Sequence, residues 1–317
     1  PLCNYLIQES GVSDKPIIAA NEGNAVALAA GHYLSTGNIP CVYLQNSGLG
    51  NIINPVASLL NDRVYGIPCI FVVGWRGEPG LKDEPQHDFQ GKITLKLLDV
   101  MDIAYMVIDK DTNIEELQHK KSDFQILLSA GKSVAFVVKK GGLTYDKKME
   151  YKNNKKLLRE QIIEKIVDVA DKDVIVSTTG KTSRELFEIR EKKGQSHKYD
   201  FLTVGSMGHS SSIALGIALN KPNTRVWCID GDGALLMHMG SIGVIAAKSP
   251  KNYVHVVINN SAHESVGGMP TVVGKMDLAQ IALGCGYRYV YSIDSLDELD
   301  DVLANLTGGP VFIEIKS

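Results

Sequence analysis

No apolar run in this chain is long enough to cross a bilayer, and its start lacks the basic-then-apolar pattern of a secretory leader. Charge of one sign is missing too. With 33 basic against 36 acidic residues, the formal net charge of -3 gives no support to a nucleic-acid or anionic-membrane partner. Cysteine is scarce: Cys3, Cys41, Cys69, Cys228 and Cys285 are odd in number, scattered, and without the spacing of a metal motif. They read as small core hydrophobes kept reduced. These absences lead to the expectation of a cytosolic protein with no disulfide framework.

What is present is an ordinary globular balance, 44% hydrophobic and 22% charged, over 317 residues. That length is generous for one core, so two domains are expected. Short β-branched runs alternate with longer amphipathic ones from end to end. Pro16–Ala20, Cys41–Leu44, Cys69–Val73, Ala104–Ile108 and Val134–Val138 read as buried strands, and Asn24–Leu34, Ile52–Leu60, Thr94–Met101 and Ile114–Ala130 as helices. The rhythm lapses into Gly-Gly and a lysine-rich stretch, then resumes. Strands are expected at Val174–Ser177, Phe201–Val204, Val226–Ile229, Val254–Ile258 and Val311–Ile315. Helices are expected at Leu157–Ala170, Ser183–Glu191, Ser210–Leu219, Met237–Ala247, Leu278–Gly284 and Leu296–Leu306. The pattern predicts two α/β domains, each a mainly parallel sheet with helices on both faces: residues 1–140 and 157–317, joined by a linker over 141–156. Because Leu2–Ile7 looks like the middle of a helix, the first strand of the first domain is expected to precede Pro1.

The sharpest feature is Gly231-Asp232-Gly233 at the end of one expected strand, with Asn259-Asn260 at the end of the next. One helix and one strand separate them, so in a parallel sheet both turns fall at the same carboxyl edge, where such folds bind ligands. Gly231 and Gly233 allow close approach to a phosphate. Asp232 and Asn260 offer hard oxygen ligands suited to Mg²⁺. Either dipeptide alone is an ordinary turn; the pair at this spacing points to a phosphate and a metal together.

This pairing resembles the diphosphate-binding motif of thiamine-diphosphate enzymes. The resemblance implies thiamine diphosphate and Mg²⁺ as cofactors, with Asp232, Asn260 and the backbone carbonyl of Ala262 as metal ligands and Gly231, Gly233 and Ala234 beside the diphosphate. Ala262 stands where the family usually has glycine. Family members also place a glutamate at a strand-to-helix turn of the partner domain, where it bonds the aminopyrimidine ring. Glu22 fits that position, although it also reads as a first-turn acid complementing a helix dipole. In the family role its carboxyl shares a proton with the ring, and the cofactor supplies the electron sink for decarboxylation. Thr179 and Gly180, within Thr178–Thr182, present backbone N–H groups to a diphosphate or simply begin a capped helix. Gly205 and Met207 match the residues that hold the pyrimidine and bend the cofactor. Ser47-Gly48-Leu49-Gly50-Asn51 is similar to the glycine turn of the pyrimidine-binding domain but fails the dinucleotide fingerprint.

The polar segments Trp75–Gly80, Lys82–His87 and Asn259–Thr271 resemble the phosphonopyruvate decarboxylases and their kin, the sulfopyruvate decarboxylases, over essentially the whole chain. Sulfopyruvate enzymes of this type often divide the two domains between subunits, so a fused chain leans toward phosphonopyruvate. A doubly anionic 2-oxo acid needs donors, and Ser47, Arg76, Lys82, His87 and His263 lie on loops where they are expected to meet substrate. His263 and His87 are the candidates for proton transfer, with Glu22 as the third catalytic residue. The family also implies a homodimer or dimer of dimers with active sites at the subunit interface. A sulfopyruvate or other small 2-oxo acid decarboxylase, or a carboligase, is the nearest alternative, and two rival classes stand beside this reading. A nucleotide-binding dehydrogenase would need the full glycine fingerprint, and a non-catalytic member of the fold would need loss of Glu22, Asp232 or Asn260; the sequence shows neither.

Overall fold

β-branched runs become parallel strands in both halves of the chain. The computed structural model describes residues 1–10, 16–147, 157–264 and 268–317. It divides into two units, Pro1–Met149 and Glu150–Ser317, each with its own hydrophobic core.

The first unit runs α1 (Leu2–Ser10), α2 (Glu22–Thr36), β1 (Cys41–Gln45), α3 (Leu49–Pro55), β2 (Ile70–Gly74), α4 (Pro85–Val100), β3 (Ala104–Ile108), α5 (Ile114–Ser129) and β4 (Val134–Val138). Among the described residues its sheet has four strands in the order β1-β2-β4-β3, all parallel. Val42, Leu44, Phe71, Val73, Ala135 and Val137 point into one core with Val26, Leu49 and Ile52 from the helices. Three expectations need correction. Pro16–Ala20 is not a strand: Pro16 has no N–H to donate, and Ile17 is 65% exposed instead of packed on a sheet. The helix expected to begin at Thr94 begins at Pro85, where proline's fixed φ suits the first helical position, so His87 lies on a helix and not on a loop. The helix expected from Ile52 starts at Leu49 and widens to a π-turn over Val56–Leu60.

The second unit runs α6 (Arg159–Ala170), β5 (Val174–Ser177), α7 (Lys181–Lys192), β6 (Asp200–Leu202), α8 (Ser210–Asn220), β7 (Val226–Gly231), α9 (Asp232–Met237), α10 (Gly240–Lys248), β8 (Tyr253–Asn259), β9 (Ala262–His263), β10 (Met269–Pro270), α11 (Leu278–Cys285), β11 (Tyr289–Ile293), α12 (Leu296–Ala304) and β12 (Val311–Lys316). Six of these strands form a parallel sheet in the order β11-β12-β8-β7-β5-β6. The central strands β7, β8 and β12 are almost wholly buried, as expected where helices cover both faces. The helix expected over Met237–Ala247 begins at Gly240 as α10, after the separate short α9, and a Cβ at Gly208 would lie 2.9 Å from Met237 Cβ. Val204 leaves its expected strand and is 63% exposed. No expected strand corresponds to β11, which among the described residues pairs on one side only, or to the short antiparallel ribbon β9–β10. Of the cysteines, Cys69 and Cys228 are buried as expected, but Cys41 and Cys285 are exposed. Part of the expected linker, residues 148–156, lies outside the described residues, as do residues 265–267 of the polar segment after β8.

Candidate cofactor and substrate site

The second unit places its candidate site residues at a topological switch. From β5 the chain moves outward to β6, then returns to the other side of β5 to make β7. Such a reversal leaves a crevice at the carboxyl ends of the two diverging strands, the usual ligand position in open α/β sheets. Four loops meet that edge: 178–180 after β5, 203–209 after β6, the Gly231-Asp232 turn after β7, and the loop beginning at Asn260 after β8. Gly231 is paired with Ile258, which sets the Asp232 and Asn260 turns on neighbouring strands.

Each turn is held by its own hydrogen bonds. Asp232 is 3% exposed, and its Oδ2 accepts from the Thr271 hydroxyl at 2.6 Å. Thr271 reaches it because the β9–β10 ribbon folds the loop back, with Thr271 N donating to Ser261 O at 2.9 Å. Asn260 Oδ1 accepts from Ala262 N at 3.0 Å and keeps a second lone pair. Asn259 is structural: its amide donates to Glu314 Oε1 at 2.7 Å, and its Oδ1 accepts from Ser261 N at 3.0 Å. A Cβ at Gly233 would lie 2.9 Å from His263 Nδ1 and 3.6 Å from Met207 Cε, so only glycine lets these two side chains converge over the start of α9. Burial pushes the His263 imidazole below the usual histidine range, favouring its neutral form.

At the end of β5, Ser183 Oγ donates to Thr178 O at 2.7 Å and lies 3.1 Å from Thr203 O, tying the loops after β5 and β6 together. The Thr178 hydroxyl is buried without a hydrogen-bond partner among the described residues. Gly180 precedes α7 with φ 84°, and no side chain caps that helix, so its first N–H groups are available to an anion. Thr179, Gly180 and Gly205 are half-buried on these loops, and Ala234 is buried within α9. A buried hydroxyl, a helix start without a side-chain cap, and a carboxylate and an amide on neighbouring turns suit a diphosphate with a hard divalent ion. Beyond them, Glu264 accepts from Arg159 Nη1 at 2.6 Å and is also paired with Lys181.

In the first unit, Glu22 opens α2 behind the N-cap Asn21, whose side chain accepts from Asn24 N at 2.9 Å. The Glu22 carboxyl does not point away into solvent. Its Oε2 accepts from Asn51 Nδ2 at 2.7 Å, and a Cβ at Gly48 would come within 2.5 Å of its Oε1. The Ser47–Asn51 turn is therefore the seat of Glu22, with half-buried Ser47 beside it. Asn51 was visible in the sequence only as a turn residue; the hydrogen bond is long-range and had no signal there.

Asn46, buried at the same edge, donates to Arg76 O at 2.8 Å and accepts from Arg76 N at 3.0 Å, joining the ends of β1 and β2. The Arg76 guanidinium donates from Nε to Asp83 Oδ2 at 2.7 Å and pairs with the other carboxylate oxygen as well. That partnership holds the Asp83 carboxyl well below the usual carboxylate range and engages the cation expected to meet substrate. Lys82 is exposed. His87 Nδ1 is buried without a hydrogen-bond partner among the described residues, and burial lowers the imidazole's pKa, with Arg76 adding to the effect.

The families described as thiamine pyrophosphate enzyme, N-terminal TPP binding domain, and thiamine pyrophosphate enzyme, C-terminal TPP binding domain, match residues 1–100 and 178–315. The chain belongs to the thiamine pyrophosphate enzymes, in their 2-oxo acid decarboxylase branch, and thiamine diphosphate is its cofactor. It is 36% identical to a phosphonopyruvate decarboxylase of Streptomyces viridochromogenes over 99% of this chain and 81% of that protein. Against a phosphonopyruvate decarboxylase of Streptomyces hygroscopicus the identity is 34%, over 99% of this chain and 80% of the relative. A sulfopyruvate decarboxylase of Methanosarcina acetivorans is 28% identical over 86% of this chain and 74% of its own length.

Proposed function

We propose that this enzyme decarboxylates phosphonopyruvate to phosphonoacetaldehyde and CO₂ with thiamine diphosphate and Mg²⁺. The observation that carries the cofactor part is the placing of Asp232 and Asn260 on adjacent turns beside the β5–β7 switch point. The substrate part rests on likeness to phosphonopyruvate decarboxylases over 99% of the chain.

In this reading Asp232, Asn260 and the Ala262 carbonyl hold Mg²⁺, and the N–H groups of Thr179, Gly180, Gly231, Gly233 and Ala234 receive the diphosphate. Gly205 and Met207 seat the rest of the cofactor. When bound, it supplies a carbanion and an electron sink for loss of CO₂. Glu22, fixed by Asn51, holds the proton shared with the aminopyrimidine. Neutral His263 and His87 carry protons to and from substrate. Ser47 and Lys82 receive the anionic groups, while Arg76 keeps their loop in place through Asp83. The protein works as a homodimer or dimer of dimers, with each site shared between subunits.

Sulfopyruvate is the second reading. The fused chain does not separate the two substrates, since the Methanosarcina acetivorans relative matches over both halves of this sequence. Release of CO₂ from phosphonopyruvate, sulfopyruvate and pyruvate, each with and without thiamine diphosphate and Mg²⁺, decides the matter. Phosphonopyruvate is expected to be used fastest, and only with both cofactors. Equal rates on all three would remove the substrate assignment, and cofactor-independent turnover would remove the whole reading.

A further inference from the structure

Behind the cofactor turns lies a polar cluster that the proposed chemistry does not use. Cys228 and Asp230 alternate along β7 and so point to the same face of the sheet, and His255 on β8 is paired with Cys228. All three are 0% exposed, and their ligand atoms lie within 4.8 Å of one another. Asp230 Oδ1 accepts from Gly231 N at 3.0 Å, and His255 Nδ1 lies 3.2 Å from the Tyr287 hydroxyl. The two remaining atoms, Asp230 Oδ2 and His255 Nε2, have no hydrogen-bond partner among the described residues and face each other at 3.6 Å.

That arrangement is costly as it stands. If His255 donates from Nδ1 to Tyr287, the lone pair on Nε2 confronts a carboxylate with nothing between them. If the proton sits on Nε2, 3.6 Å is too long for a hydrogen bond. A buried carboxylate with one unsatisfied oxygen loses solvation that nothing in this geometry restores. A cation bound by both atoms resolves both difficulties. The donors are one imidazole nitrogen, one carboxylate oxygen and one thiol sulfur, a set that suits zinc and not magnesium. Tyr287 then takes the usual place of the group that orients a ligating histidine through its second nitrogen. The buried Ser210 hydroxyl lies beside the Cys228 thiol and is a candidate fourth donor.

We propose that Cys228, Asp230 and His255 form a buried site for a zinc-class divalent ion, distinct from the magnesium site at Asp232 and Asn260. Its role is structural: it ties β7 to β8 just before the two turns that carry the catalytic cation. Binding displaces the Cys228 proton to solvent as the thiolate forms, and no redox change is involved. Because the site is enclosed, the ion enters as the unit folds and exchanges slowly afterward.

The test is elemental analysis of the full-length enzyme produced with zinc in the medium and then dialysed against a chelator and excess magnesium. About one zinc per chain is expected to remain, and to be released only on unfolding. Enzyme produced with cobalt instead should show a near-ultraviolet thiolate-to-cobalt absorption that Cys228→Ser abolishes. Metal-free wild-type protein with the same melting temperature whether or not zinc was supplied would overturn the proposal. So would cobalt protein without the thiolate band, or zinc retained in full by Cys228→Ser. Should Cys228→Ser fail to fold, the wild-type zinc content and cobalt spectrum decide alone.

Discussion

Glu22 shows how one side chain serves two purposes. As a first-turn acid it complements the dipole of α2, and the same rotamer lays its carboxyl on Gly48 within reach of Asn51. Replacement Glu22→Gln keeps the shape and the Asn51 contact while removing the acid. Thiamine diphosphate binding, followed by calorimetric titration, is expected to stay near wild type while CO₂ release falls by about 10²-fold or more. Wild-type turnover would remove Glu22 from the mechanism. Gly48→Ala makes a sharper point. Its new methyl group needs the space of the Glu22 carboxyl, which lies at the end of a flexible chain and can swing away. Turnover should therefore drop at least about tenfold while the melting temperature stays nearly constant; a variant with full activity would show that the Glu22 position is not critical.

At the scale of elements, ion pairs fix what hydrophobic patterning leaves loose. Arg190 on α7 and Asp200 on β6 are paired at 3.1 Å, 2% and 1% exposed, and Arg190 also donates to Gln195 at 2.9 Å. Asp200→Ala leaves a buried guanidinium unmatched and is expected to cost about 3–5 kcal/mol in denaturant unfolding; a loss under about 1 kcal/mol would mean water reaches that charge. The Arg76–Asp83 clasp predicts a pH effect. Asp83 titrates lower in the folded chain than in the unfolded one. Its contribution to stability is therefore present above the ordinary carboxylate pKa of about 4 and lost as the pH falls below it. Melting curves of wild type and Asp83→Asn should differ near neutrality and converge in acid. A gap that widens in acid would contradict the assignment.

For the whole molecule, the proposal that sites are shared between subunits has a direct test. Glu22→Gln and Asp232→Ala lie in different units of the chain and should each be inactive. If one subunit supplies Glu22 and its neighbour Asp232, mixing the two variants under subunit exchange restores some sites. In a mixed dimer one site carries both substitutions and the other carries none. Random pairing then returns about a quarter of wild-type activity. No recovery, with exchange verified by mass, would place both residues of a site in one chain.

The strands were largely legible because buried parallel strands need β-branched residues on both faces: Ala104–Ile108, Val134–Val138 and Val174–Ser177 fall where the pattern set them. The motif residues Asp232 and Asn260 were legible for a related reason, since spacing across one helix and one strand forces neighbouring turns in a parallel sheet. The start of α4 and the β9–β10 ribbon were not, because their residues are mostly polar or too few to show a hydrophobic period. Nor were Asn51 on Glu22, Thr271 on Asp232, or the meeting of Cys228, Asp230 and His255. These are contacts between residues 2 to 39 positions apart, whose directions are set by strand register and loop return. The order of residues alone thus determined the family, the cofactor and the placing of the Asp232 and Asn260 turns on neighbouring strands. Only the tertiary structure decided which neighbours hold each candidate group, because hydrogen bonds and ion contacts depend on distance in space and not along the chain.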